Sequence, residues 1–143
     1  MTGRAARGPV VVDTNVYSAG LVPDSSLARR YEPLLLRRLE VLSFQTVAEV
    51  RYGALLRGWG TARFQHLEAA VARAEVVQTG PDLIRTYVEL RVACERIGHA
   101  LCQREHDADR WIAATALRLD IPLVSNDRIF EGTPGLILAA VRG

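Results

Sequence analysis

The chain contains no lysine, so all 18 of its basic residues are arginine. That absence excludes Schiff-base catalysis and the phosphate-gripping lysine of a P-loop. It also weighs against the acidic pockets of response-regulator receivers and haloacid-dehalogenase-type phosphatases, which normally need a lysine. Cysteine is nearly absent. The only two, Cys94 and Cys102, fall eight residues apart in what reads as one helical segment. That places them roughly 12 Å apart, too far for a disulfide, and they are read as reduced thiols. No apolar run approaches the ~18 residues of a membrane span, and the first eight residues offer no hydrophobic segment suited to export. The expected location is therefore the cytoplasm, away from any membrane. An excess of one charge is lacking too: the formal net charge is only +2, too small to mark a nucleic-acid binder by itself.

What is present suits one globular domain spanning 1–143, with 1–8 as a flexible extension. At 143 residues and 49% hydrophobic, such a chain buries roughly 68% of its unfolded surface without staples. Val10 to Val12 reads as a short buried strand, and Asp13-Thr14-Asn15 has the chemistry of a turn and a helix N-terminus. Helices are expected over 26–39, 46–57, 62–74, 81–97 and 107–119, and further strands over 41–44, 75–78, 122–125 and 136–141. Thr46 followed by Glu49 has the form of a capping box. Strands and helices alternate throughout. That order predicts an α/β/α sandwich: a mainly parallel sheet of about five strands, covered by helices on both faces.

Four acidic residues then take on significance. Asp13 and Asp127 follow apolar strand-like runs, while Glu49 and Asp109 lie near the starts of helices. In a parallel sheet, ligands bind beyond the carboxyl ends of the strands, where these positions converge. Carboxylates gathered there repel one another and lose water, which raises their pKa values unless a divalent cation compensates. Each acid also has a plain reading: Asp13 as a helix cap, Glu49 as half of the capping box, Asp109 as a first-turn acid, and Asp127 as a turn residue.

Taken in order, the four motifs resemble those of the PIN-domain ribonucleases, and in detail the VapC-type toxins of bacterial toxin–antitoxin pairs. The likeness runs from Val10 to about Val141. Asp13-Thr14-Asn15 is similar to the family's opening motif, and Glu49 with Tyr52-Gly53 to its glutamate helix. Asp109, three residues before Ile112-Ala113-Ala114-Thr115-Ala116, resembles its most specific stretch, and Ser125-Asn126-Asp127 its closing motif. Ser125 replaces the more usual threonine but keeps the hydroxyl. Arg128-Ile129-Phe130 stands where Asp-Phe is common. Asp107, two residues before Asp109, is the alternative for that position.

The resemblance implies an endoribonuclease that cuts structured RNA of the tRNA or rRNA type. Asp13, Glu49, Asp109 and Asp127 would be catalytic and would hold one or two Mg2+ or Mn2+ ions, with Asp13 and Asp109 as the primary ligands. The ions would activate water for attack on a phosphodiester. Thr14, Asn15 and Ser125 would orient carboxylates and water. The implied partners are RNA, a VapB-type antitoxin and a second copy of the chain. Arg104, Arg110 and Arg128 flank the expected pocket as candidates for gripping phosphates. Leu34, Leu35, Leu36, Leu55, Leu56 and Trp59 exceed what one core needs unless some form a groove or dimer face. Two other functions fit the same residues: a catalytically silent PIN domain that binds RNA or a protein, and a metal-dependent phosphatase. Cys94, His99, Cys102 and His106 are zinc-ligand types, but their spacing matches no compact zinc module.

Overall fold

Valine runs too short for helices build the centre of the protein. The computed structural model describes residues 7–142, so the extension expected over 1–8 falls mostly outside the described residues. Arg7 is tied down, donating its backbone N–H to the Arg37 carbonyl at 3.0 Å. β1 (Val10–Val12) is wholly buried and lies between β2 (Glu40–Ser43) and β4 (Leu123–Val124). β3 (Glu75–Val77) and β5 (Leu138–Ala139) form the two edges, giving the order β3-β2-β1-β4-β5. Every pairing is parallel.

Alternation along the strands divides the core into two layers. Val10, Val12, Leu42 and Val124 face one side, where α1 (Thr14–Ala19), α2 (Ser26–Leu35), α3 (Phe44–Leu56) and α4 (Thr61–Arg73) supply Val16, Tyr31, Val47, Val50 and Leu67. Val11, Val41 and Leu123 face the other side, filled from α5 (Pro81–Ile97) and α6 (Asp107–Leu119) by Leu83, Leu90, Cys94, Ile112, Ala113 and Ala116. Helices on both faces satisfy a parallel sheet, which has no surface to leave wet. No helix among the described residues is long and apolar enough to cross a membrane.

Several boundaries differ from the sequence reading for identifiable reasons. α2 stops at Leu35 instead of 39: Pro33 lies in its last turn, and Arg37 adopts φ 59°. A left-handed residue ends a helix, so Leu39 is left 50% exposed. α3 starts at Phe44 because Ser43, not Thr46, is its cap: the Ser43 hydroxyl accepts from the Gln45 N–H at 3.1 Å. The expected capping box is therefore absent. α5 ends at Gly98, whose φ of 70° is a conformation that favours glycine, so Cys102 falls outside that helix, in a 3-10 turn. Both cysteines are free thiols.

Candidate active site

The order of strands creates a switch point. From β1 the chain moves outward through β2 and β3, then crosses back to β4 on the other side, so connections diverge between β1 and β4. A parallel sheet opens to ligands at such a point. Asp13 leaves the end of β1, and Ser125 leaves the end of β4. The two strand ends are joined directly, since the Asp13 N–H donates to the Val124 carbonyl at 2.9 Å.

Asp13 is the most confined of the candidate acids, at 4% exposure. It caps α1, with Oδ1 accepting from the Thr14 N–H at 2.8 Å. Its other oxygen, Oδ2, accepts from the Ser125 hydroxyl at 2.6 Å. Despite both bonds, its pKa is pushed up to about 6, first by burial and further by the charges of Asp109 and Asp127. Burial, more than like charge, is thus the main cause. Capping and site formation coexist here because each occupies a different oxygen.

Asp127 is held by the same hydroxyl: Ser125 Oγ accepts from the Asp127 N–H at 3.0 Å. The Asp127 carboxylate in turn accepts from the Ile129 N–H at 3.0 Å, starting a 3-10 turn over Arg128–Phe130. Asp109 lies in the first turn of α6 and bonds His106 Nδ1 at 2.9 Å. Asp107 points elsewhere, to the Tyr87 hydroxyl and, at 3.4 Å, to Arg110. Of the two neighbouring aspartates, it is Asp109 that shares its field with Asp13.

Glu49 lies on α3. It is half-buried one helical turn beyond Thr46, accepts from Gln45 Nε2 at 3.2 Å, and lines a neighbouring cavity with Ser18, Gly53, Arg57, Trp59 and Arg63. Thr46 itself is fully buried, and its hydroxyl accepts from the Thr14 hydroxyl at 3.0 Å, tying the starts of α1 and α3 together. Asn15 is exposed in the first turn of α1. Among the described residues, no three His, Cys, Asp or Glu side chains stand close enough to hold one metal ion jointly.

Of the three candidate phosphate-binding arginines, Arg110 does not serve. It is 2% exposed, and its guanidinium donates to the carbonyls of Leu101, at 2.9 Å, and Gln103, and to the Tyr87 hydroxyl. Its role is to fasten the loop before α6 to α5. Arg104 is exposed, and Arg128 is exposed beside Glu131 at 3.3 Å. His106 is the neighbour of Asp109 that the sequence reading weighed only as a zinc-type residue. Its position three residues before Asp109 at a helix start was the available signal. His99 accepts from the Leu101 N–H at 3.0 Å and pairs with the Glu131 carbonyl at 2.7 Å, so both its nitrogens are engaged.

A family model described as the PIN domain matches residues 10–136. Ribonuclease VapC5 of Mycobacterium tuberculosis is 28% identical over 127 residues, which is 87% of each chain. In the solved structure of VapBC2 from Rickettsia felis bound to a promoter DNA fragment, one chain superposes with a TM-score of 0.73 at 25% identity, covering 92% of this chain and 97% of that one. The VapBC-5 toxin–antitoxin structure from M. tuberculosis gives 0.67 at 25% identity, over 93% and 98%. With its parallel sheet covered on both faces, its switch point between β1 and β4 and a family match over most of its length, this chain belongs to the PIN-domain family.

Proposed function

We propose that the protein is a divalent-metal-dependent endoribonuclease of the VapC type, cutting structured RNA and held inactive by a cognate antitoxin. The observation that carries this reading is the Asp13 carboxyl. It is buried at the end of the central strand, lifted to about 6, and shares its field with Asp109 and Asp127. Keeping a carboxylate there without a counter-charge is costly, and a cation removes the cost. The donor set is all oxygen, which suits a hard cation. Mg2+ commonly binds through one or two carboxylates and keeps several waters, so a jointly held cage of three is not required.

In this reading Asp13 and Asp109 are the direct ligands, with Asp127 and, from the adjoining cavity, Glu49 acting through water. The bound ion supplies an activated water and neutralises phosphate charge. The chain's own atoms do the rest. Thr14 N–H and Ser125 Oγ fix the two Asp13 oxygens in place, and Ser125 fixes the Asp127 backbone. Arg104 and Arg128 stand exposed to meet RNA phosphates. Partners follow from the same likeness: the VapBC structures pair a toxin with an antitoxin. A second copy of this chain has Tyr52, Leu55 and Leu56 to cover, which are 67%, 70% and 70% exposed on one face of α3.

The direct test incubates the purified full chain with total bacterial RNA in Mn2+ or EDTA, beside the Asp13→Asn variant. Discrete fragments only with Mn2+ and the intact aspartate are expected. Intact RNA in every lane, from folded protein that binds Mn2+, would replace the enzyme with a silent binding module.

A further inference from the structure

The loop Ser125-Asn126-Asp127 is gripped from outside by three elements. Tyr31, midway along α2, is completely buried. Its hydroxyl donates to the Ser125 carbonyl at 3.3 Å and accepts from the Val141 N–H at 3.1 Å. The next residue of the C-terminal tail, Arg142, donates from Nη1 to the Asn126 carbonyl at 3.2 Å, and its Nε holds Glu131 at 3.0 Å. β5 adds a third tether, since Ser125 N–H donates to the Ala139 carbonyl at 3.2 Å. With its backbone N–H and carbonyl thus committed, Ser125 has its hydroxyl left for Asp13 and the Asp127 N–H.

A hydroxyl at position 31 is not needed to fill space. The neighbouring apolar residues of α2, Leu27, Leu34 and Leu35, pack against the same core layer with no polar atom. Burying a phenol oxygen has a desolvation cost that only its hydrogen bonds recover, and all of these run to the loop or to the tail. Supporting groups of this kind hold ligands to within about 0.5 Å of a working geometry.

We infer that Tyr31 and the tail Val141–Arg142 form a clasp that positions the Ser125–Asp127 loop against Asp13 and so sets the affinity of the acidic site for its cation. Tyr31 is a positioning residue: it acts through Ser125 and touches neither substrate nor metal. The inference rests on the metal-site reading above, so its test measures cation binding and folding separately.

The full chain, stripped with EDTA and dialysed, is titrated with Mn2+ by calorimetry, and its melting temperature is recorded in EDTA. Tyr31→Phe should weaken Mn2+ binding by about tenfold, as loss of an outer support typically does, and Arg142→Ala by a smaller factor in the same direction. Val71→Ala, a core truncation in α4, serves as the structural control: it should lower the melting temperature and leave Mn2+ affinity unchanged. Mn2+ binding by Tyr31→Phe within about twofold of wild type would overturn the clasp, as would equal weakening by Val71→Ala. Should Tyr31→Phe fail to fold, Arg142→Ala decides, and unchanged affinity there overturns the inference. A folded wild type that binds no Mn2+ refutes the metal reading itself, an outcome distinct from any difference among the variants.

Discussion

At the scale of single residues, Asp13 and Arg110 show how burial decides function. Asp13 has its pKa lifted from 3.8 to about 6, so the folded protein binds this proton more tightly than the unfolded chain does. Its neutral form is therefore fully accommodated below pH 4, and stability is lost as pH rises from about 4 to about 6. At neutral pH the loss approaches about 3 kcal/mol in metal-free protein. Asp13→Asn cannot ionise. In EDTA, its melting temperature should exceed that of wild type by a margin that grows through this window and levels off above it at several degrees. A margin independent of pH would show that the carboxyl is not destabilised by burial. Arg110→Ala should cost about 3 kcal/mol in a urea titration, because the buried Leu101 carbonyl loses its donor and the links from the guanidinium to the Gln103 carbonyl and the Tyr87 hydroxyl are lost with it. Its motif position beside Asp109 suggested phosphate contact. Nothing local in the sequence reveals that the side chain turns inward.

Among the elements, the strand and helix order was readable because hydrophobic period changes cleanly from strand to helix, and α5 and α6 have the expected limits. β4 and β5 proved shorter than their apolar runs, with two residues each. The ends of those runs are spent on other work: Ser125 turns toward Asp13, and Val141 meets Tyr31. Contacts between residues 94 and 110 positions apart leave no periodic trace. Tyr31 was consequently legible only as one more apolar residue of a helix. The acids at 13, 109 and 127 were legible because strand ends and helix starts fix their places; Glu49 was placed by its position one turn into a helix after a strand, and its competing role as half of a capping box is the one that Ser43 displaces. The Thr14–Thr46 hydroxyl pair joining α1 to α3 should matter for the site. Thr46→Val is expected to cost about 1 kcal/mol of stability and to slow RNA cleavage by roughly tenfold through looser placement of Thr14. Wild-type cleavage in that variant would confine the pair to packing.

For the whole molecule, layers of helices cover both faces of the sheet and leave the α3 face apolar in solvent. Leu55→Glu with Leu56→Glu should leave thermal stability nearly unchanged, since both side chains are mostly exposed. With the pairing proposed for this face, sedimentation should shift from dimer to monomer; an unaltered dimer would move the pairing surface elsewhere, and a monomeric wild type would refute the pairing. In the proposed function, Asp13, Asp109 and Asp127 form one cation-dependent site that cuts RNA. The deciding measurement is the cleavage rate of wild type, Asp109→Asn and Asp107→Asn on RNA across a Mn2+ titration. Loss of roughly a thousandfold or more in Asp109→Asn, with Asp107→Asn close to wild type, is the expected result. An active Asp109→Asn beside an inactive Asp107→Asn, or cleavage by wild type that persists in EDTA, would contradict it.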